Sequence, residues 1–173
     1  MMNYKTKLAK IKLFAFDYDG VFTDGTVYLM PDGSMARTAS AKDGFAVQWA
    51  IKQGIHIAVI TGGKEEAVRM RMKGLGVEEV HLGAHDKLQV LENVADRLGI
   101  DLSEVAYMGD DLPDRLALEH AGLSCCPHDA APEIRETVDW VTPECGGQGC
   151  VRNVLEQAMK LRGLWAAEEG HRW

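Results

Sequence analysis

The chain lacks the features that would place it in several broad classes. It has no apolar run approaching the roughly 20 residues needed to cross a bilayer. Its first apolar stretch, Ile11–Phe16, carries Lys12 and leads into Asp17 without a small-residue cleavage site, so it does not read as a secretory signal. Cysteine is sparse: Cys125, Cys126, Cys145 and Cys150 form no CxxC pair, which argues for idle reduced thiols in a cytoplasmic protein rather than a disulfide framework. Positive charge is also short, with 19 Lys plus Arg against 26 Asp plus Glu and a net charge of −7. A broad basic face for nucleic acid or membrane is therefore not expected, although a few local cations could hold a small anion. No internal repeat or low-complexity linker interrupts the 173 residues, so a single domain over 1–173 is expected.

What is present is an alternation of short apolar runs and helical patterns. Ile11–Phe16, Ile55–Thr61, Val105–Met108 and Leu123–Cys125 read as buried strands, with weaker signals at Val80–Leu82 and Trp140–Val141. Between them, Gly44–Gln53, Lys64–Lys73, Lys87–Leu98, Asp114–His120 and Val151–Arg162 read as helices. Four of these helices lead into Gly54, Gly74, Gly99 and Gly163, the residue favoured at a left-handed terminus. This order predicts an α/β fold, a Rossmann-like parallel sheet with helices on both faces. Residues 26–39 (TVYLMPDGSMARTA) break the rhythm: two short strands around Pro31-Asp32-Gly33 predict a β-hairpin flap inserted after the first strand. The tail, residues 164–173, is polar with an aromatic end and is expected to dock on the rest of the molecule.

Ligands of such sheets bind beyond the carboxyl ends of the strands. Those ends carry Asp17-Tyr18-Asp19-Gly20, then Thr61-Gly62-Gly63-Lys64, then Gly109-Asp110-Asp111 with Asp114 following, while Lys87 opens a later helix. Singly, an aspartate after a strand is a helix cap, Thr-Gly is a turn, and a lysine is a solvated charge. Jointly, carboxylates gathered at one sheet edge repel unless a cation sits among them. Hard carboxylate oxygens suit Mg²⁺. In that setting Asp17 can attack a phosphoryl group, Asp19 can donate and accept the proton, and Thr61 and Lys87 can hold the phosphoryl oxygens. A phosphorylated aspartate alone would also fit a receiver-type signalling domain, but Asp19 predicts rapid turnover instead.

These motifs resemble those of the haloacid dehalogenase-like phosphatases, in the family's order. DYDGVFTDG, AKDGFAVQWA, ITGGK, GDDLPD and GGQGCVRNVLEQ extend the resemblance over roughly Ile11 to Leu164, toward the cap-less branch that includes the 3-deoxy-D-manno-octulosonate 8-phosphate (KDO 8-phosphate) phosphatases of lipopolysaccharide synthesis. The resemblance implies no cap domain, an aspartyl-phosphate on Asp17, and a homotetramer in which a neighbour's hairpin closes each site. It implies Mg²⁺ held by Asp17, the Asp19 backbone carbonyl and Asp110, with Asp111 and Asp114 in support. It places Asp19, Lys42, Asp43, Gly62, Arg71, Lys87 and Asp114 where the family contacts substrate. Gly63 stands where the octulosonate enzymes commonly have Arg, Gln148 stands in the GGxG segment where Arg or Glu is frequent, and Lys42 stands where Arg is usual. These departures keep open a nine-carbon sugar acid 9-phosphate (2-keto-3-deoxynononate or N-acetylneuraminate) as substrate. A catalytically silent oligomeric partner that binds a sugar acid is the non-enzyme alternative, which the intact set Asp17, Asp19, Lys87 and Asp110 disfavours.

Overall fold

Residues that alternate in side-chain direction along each strand build two separate apolar layers around one sheet. The structure is a computed structural model that describes residues 4–165. In chain order the strands are β1 (Leu13–Phe16), β2 (Tyr28–Leu29), β3 (Met35–Ala36), β4 (His56–Ile60), β5 (Glu79–His81), β6 (Val105–Met108), β7 (Leu123–Cys126) and β8 (Trp140–Val141). The helices are α1 (Tyr4–Leu8), α2 (Ala41–Lys52), α3 (Glu66–Gly74), α4 (Lys87–Leu98), α5 (Arg115–His120), α6 (Pro132–Arg135) and α7 (Cys150–Leu161). Six strands form one parallel sheet in the order β5-β4-β1-β6-β7-β8. The order reverses on either side of β1, and such a switch point opens a crevice at the carboxyl edge.

Along β1, Phe14 and Phe16 face the layer covered by α2, α3 and α7, while Leu13 and Ala15 face the layer covered by α4, α5 and α6. The same period of two sends Ala106 and Met108 to the first layer and Val105 and Tyr107 to the second. All four residues of β1 are buried, as a central parallel strand requires. The expected parallel sheet with helices on both faces is thus what forms.

Between β1 and α2 the chain carries only the hairpin, β2 paired antiparallel with β3, and no cap domain. Tyr28, Leu29, Met30 and Met35 on it are exposed, Leu29 by 80%. Two short helices escaped the sequence pattern. α1 is held by Tyr4 stacked on Trp140 at 4.4 Å and by a Lys7–Asp139 ion pair of 2.6 Å, and α6 by the fully buried Ile134. Five and four residues are too few to display a helical period. Gly74 is a correction: α3 runs through it, and the left-handed residue is Gly76, whereas Gly54, Gly99 and Gly163 do adopt positive φ. Of the tail, Leu164 accepts a hydrogen bond from Trp49 Nε1 at 3.2 Å, and Trp165 packs edge-on to Phe45 under the Arg152 guanidinium. Its remainder, 166–173, lies outside the described residues. No described helix is long and apolar enough to cross a membrane. Cys125, Cys126 and Cys150 are buried free thiols whose pKa burial raises, Cys126 to about 12.

Candidate active site

The carboxyl ends of β1, β4 and β6 converge on a pocket of about 430 Å³. Asp17, Asp19, Thr61, Gly62, Lys87, Asp110, Asp111 and Asp114 all line it, together with His85. Eight of the expected site residues thus meet in one place, drawn from four stretches of sequence. A groove of about 770 Å³ at the opposite edge, lined by Lys10, Ser103, Glu104 and Gly122, is larger but holds no comparable chemistry.

Lys87 is the hub of the floor. From the first turn of α4, its buried ammonium lies 2.8 Å from Asp17 Oδ2 and 2.7 Å from Asp114 Oδ1. Burial alone would lower the Lys87 pKa, but Asp17 and Asp114 outweigh it and hold the ammonium above its ordinary value. Asp114 is saturated. Its Oδ1 also accepts from Tyr107 Oη at 2.8 Å, and its Oδ2 accepts from the backbone N–H of Asp110 at 3.1 Å and of Asp111 at 3.4 Å. Two backbone glycines permit this packing. A Cβ at Gly109 would stand 2.3 Å from Asp114 Cγ, so only glycine lets that carboxylate fold beneath the loop. A Cβ at Gly20, whose φ is 78°, would stand 2.0 Å from Asp110 Oδ2, so Asp110 presses on the backbone that follows Asp19.

Asp17 accepts from the Tyr18 backbone N–H at 2.7 Å. Burial, and then the neighbouring Asp114, push its carboxyl from 3.8 up to about 8 against the pull of Lys87. Burial, then Asp114 and Asp111, push Asp110 to about 7. One oxygen each from Asp17, Asp110 and Asp114 lie within 4.8 Å of one another. Such a set of hard oxygens, two of them made costly to ionise by their surroundings, fits a divalent cation that prefers oxygen. Because Asp114 already serves four donors, Asp17 and Asp110 are the side chains that would face the ion. Thr61, buried at the end of β4, accepts from the Gly63 N–H at 3.1 Å and so shapes the turn it opens.

The other expected substrate contacts lie elsewhere. Asp43, with no exposed surface, caps α7 from the first turn of α2, accepting from the Arg152 N–H at 2.7 Å. Lys42 and Gln148 line a different cleft of about 440 Å³ beside the N-terminus of α7, with Glu144, Arg152 and Asn153. Arg71 reaches across to α2, where a Cβ at Gly44 would stand 2.6 Å from its Nη2. Lys42, Asp43 and Arg71 do not line the Asp17 pocket.

Sequence reading missed Arg37, Glu65, Tyr107 and His85. Arg37, on the hairpin, places Nε 2.6 Å from Asp19 Oδ1 and Nη1 3.1 Å from Glu65 Oε2. Nothing in the hairpin's turn signal foretells this reach. Tyr107 sits on β6 and reads as a core aromatic until its hydroxyl is seen on Asp114.

Residues 79–152 match the haloacid dehalogenase-like hydrolase family. The chain is 35% identical over 158 residues to a KDO 8-phosphate phosphatase of Salmonella typhi, covering 91% of this chain and 84% of that protein. The crystal structure of a KDO 8-phosphate phosphatase from Yersinia pestis superposes with a TM-score of 0.92 at 30% identity, covering 94% of this chain and 88% of the other. The enzyme from Moraxella catarrhalis, solved with a magnesium ion, a phosphate ion and KDO, superposes with a TM-score of 0.89 at 37% identity over 93% of each chain.

Proposed function

The chain belongs to the haloacid dehalogenase-like hydrolases, among the KDO 8-phosphate phosphatases, and from that premise we propose that it hydrolyses KDO 8-phosphate to KDO and phosphate in lipopolysaccharide synthesis. The observation that carries the reaction type is the Lys87 ammonium bridging Asp17 and Asp114 at the floor of an acidic pocket.

Asp17 and Asp110, with the Asp19 backbone carbonyl, would hold Mg²⁺, which would neutralise charge on the phosphate and the carboxylates. The chain's own groups do the rest. An Asp17 carboxylate oxygen attacks phosphorus as the ester P–O bond breaks, and Asp19 gives its proton to the departing alkoxide. Lys87 holds Asp17 against the phosphoryl group and offsets the charge that develops there. Asp19 then takes a proton from water as that water's oxygen bonds to phosphorus, and the bond to Asp17 breaks to release phosphate. Asp114 orients Lys87, and Tyr107 orients Asp114.

With only a hairpin where a cap would stand, substrate selection falls to the hairpin, to the cleft holding Lys42 and Gln148, and to neighbouring copies. The exposed Tyr28, Leu29, Met30 and Met35 support a homotetramer in which this flap packs on a neighbour. The unpaired cysteines accord with a cytoplasmic setting. Gly63 lines the pocket without a charge, which favours a second reading, a nine-carbon sugar acid 9-phosphate. The test is Mg²⁺-dependent phosphate release from KDO 8-phosphate, 2-keto-3-deoxynononate 9-phosphate and N-acetylneuraminate 9-phosphate, with Asp17→Asn as blank. A higher kcat/KM on KDO 8-phosphate is expected, and preference for a nine-carbon acid would move the substrate while keeping the chemistry.

A further inference from the structure

Asp19 must sit at the leaving oxygen in one step and at the attacking water in the next. Yet its side chain is a third exposed and stands on a loop, so packing alone does not choose its rotamer. What fixes it is Arg37. The guanidinium comes from the hairpin, 18 residues on, and its side chain is only 9% exposed. Nε donates to Asp19 Oδ1 at 2.6 Å, Nη1 pairs with Glu65 Oε2 at 3.1 Å, and Nη2 lies 3.6 Å from where a Gly63 Cβ would be. The guanidinium therefore lies over Gly63, in space a larger side chain would contest, with a carboxylate on each of two edges. Glu65 is itself anchored at the start of α3, where it accepts from the Lys64 N–H at 3.1 Å.

We infer that Arg37 is a positioning residue: it carries the placement of the hairpin to the Asp19 carboxylate and holds that carboxylate in line with the scissile bond. The inference rests on the phosphatase reading and adds to it a link between flap and acid/base group. Lysine cannot replace the contact fully, because a single ammonium lacks the planar fork that holds two carboxylates at once. Glu65 keeps an anion on the other edge of Arg37 throughout the cycle, so the guanidinium stays seated when Asp19 turns to substrate or water.

The leaving group separates this role from general damage to the pocket. An alkoxide needs a proton as it departs, whereas p-nitrophenolate leaves without one. Breakdown of the phosphorylated Asp17 needs Asp19 in both cases. For Mg²⁺-loaded Arg37→Ala, kcat on KDO 8-phosphate should fall by about 10²-fold, the usual range for losing general acid–base help, with KM changed little. On p-nitrophenyl phosphate the same variant should release a rapid burst of nitrophenolate, near one equivalent per site, followed by slow turnover. The wild type should show no such burst. Arg37→Lys should recover part of kcat and shrink the burst, which also covers a poorly folding alanine variant. A uniform loss on both substrates without a burst, or a KM effect alone, would overturn the inference and make Arg37 a pocket or binding residue. Wild-type protein inert toward both esters would remove the phosphatase reading itself, and the inference with it.

Discussion

The pocket around Asp17 and the cleft beside α7 are similar in size but differ in how their polar groups are met. In the first, Lys87 meets two carboxylates and Asp114 meets four donors, while Asp110 has no ion-pair partner among the described residues and is left to face a cation. In the second, Glu144 Oε2 and Asn153 Oδ1 are buried without a hydrogen-bond partner among the described residues, in a lining that includes Lys42 and Gln148, and Oδ2 of Asp43, which accepts from the Arg152 N–H through its other oxygen, is likewise unpartnered. The contrast separates two tasks. On the proposed function, reaction chemistry belongs to one chain's strand ends, whereas selection of the sugar would fall to loops, the hairpin and neighbouring copies.

Changes that attack the Asp17 pocket should have the largest effects. Asp17→Asn should reduce kcat by about 10⁴-fold or more, the scale for losing a nucleophile, while thermal stability holds or rises because a raised-pKa carboxyl is removed. Asp114→Ala should cost about 3–5 kcal/mol, since Lys87 then keeps a buried charge with one partner lost. Denaturant unfolding checks that figure, and turnover should fall with it.

Metal and pH sharpen the same point. Asp17 and Asp110 hold their protons more tightly in the fold, at about 8 and about 7 against an ordinary 3.8. For metal-free protein this contribution is full below pH 3.8 and is lost as pH rises through about 7 and then about 8. Its melting temperature should therefore decline from pH 5 to pH 8, and Mg²⁺ should raise it more at pH 8 than at pH 6. Equal shifts at both values would mean that these carboxyls do not hold the ion.

Changes beside the second cleft should be milder for the chemistry. Asp43→Ala removes the cap on α7 and should cost about 1–2 kcal/mol by thermal or chemical unfolding. Its KM on KDO 8-phosphate should rise more than kcat falls. The smallest effect on the isolated fold belongs to Leu29→Glu on the exposed hairpin, which should leave the unfolding free energy within about 0.5 kcal/mol. If the proposed tetramer forms through this flap, the variant should sediment as smaller species than the wild type.

Sequence was most legible where chemistry and chain order coincide. Asp17, Thr61 and Asp110 each follow a buried apolar run, and Lys87 opens a helix whose bounds, Lys87–Leu98, match the pattern. The hairpin was visible through Pro31-Asp32-Gly33. What stayed hidden depends on contacts across the fold. Asp43 reads as a helix-start acid whether it meets substrate or caps a helix more than 100 residues away, and only the structure pairs it with Arg152. Arg37 finds Asp19 and Glu65 through the fold of the hairpin, which no local period encodes.

On the proposed mechanism, Asp17 carries the phosphoryl group during hydrolysis of KDO 8-phosphate. Turnover with Mg²⁺, quenched in acid and followed by peptide mass spectrometry, tests it most directly. A transient phosphate on the peptide containing Asp17, absent from Asp17→Asn, is the expected result. Rapid phosphate release by the Asp17→Asn protein, or phosphate trapped on a different residue, would contradict it.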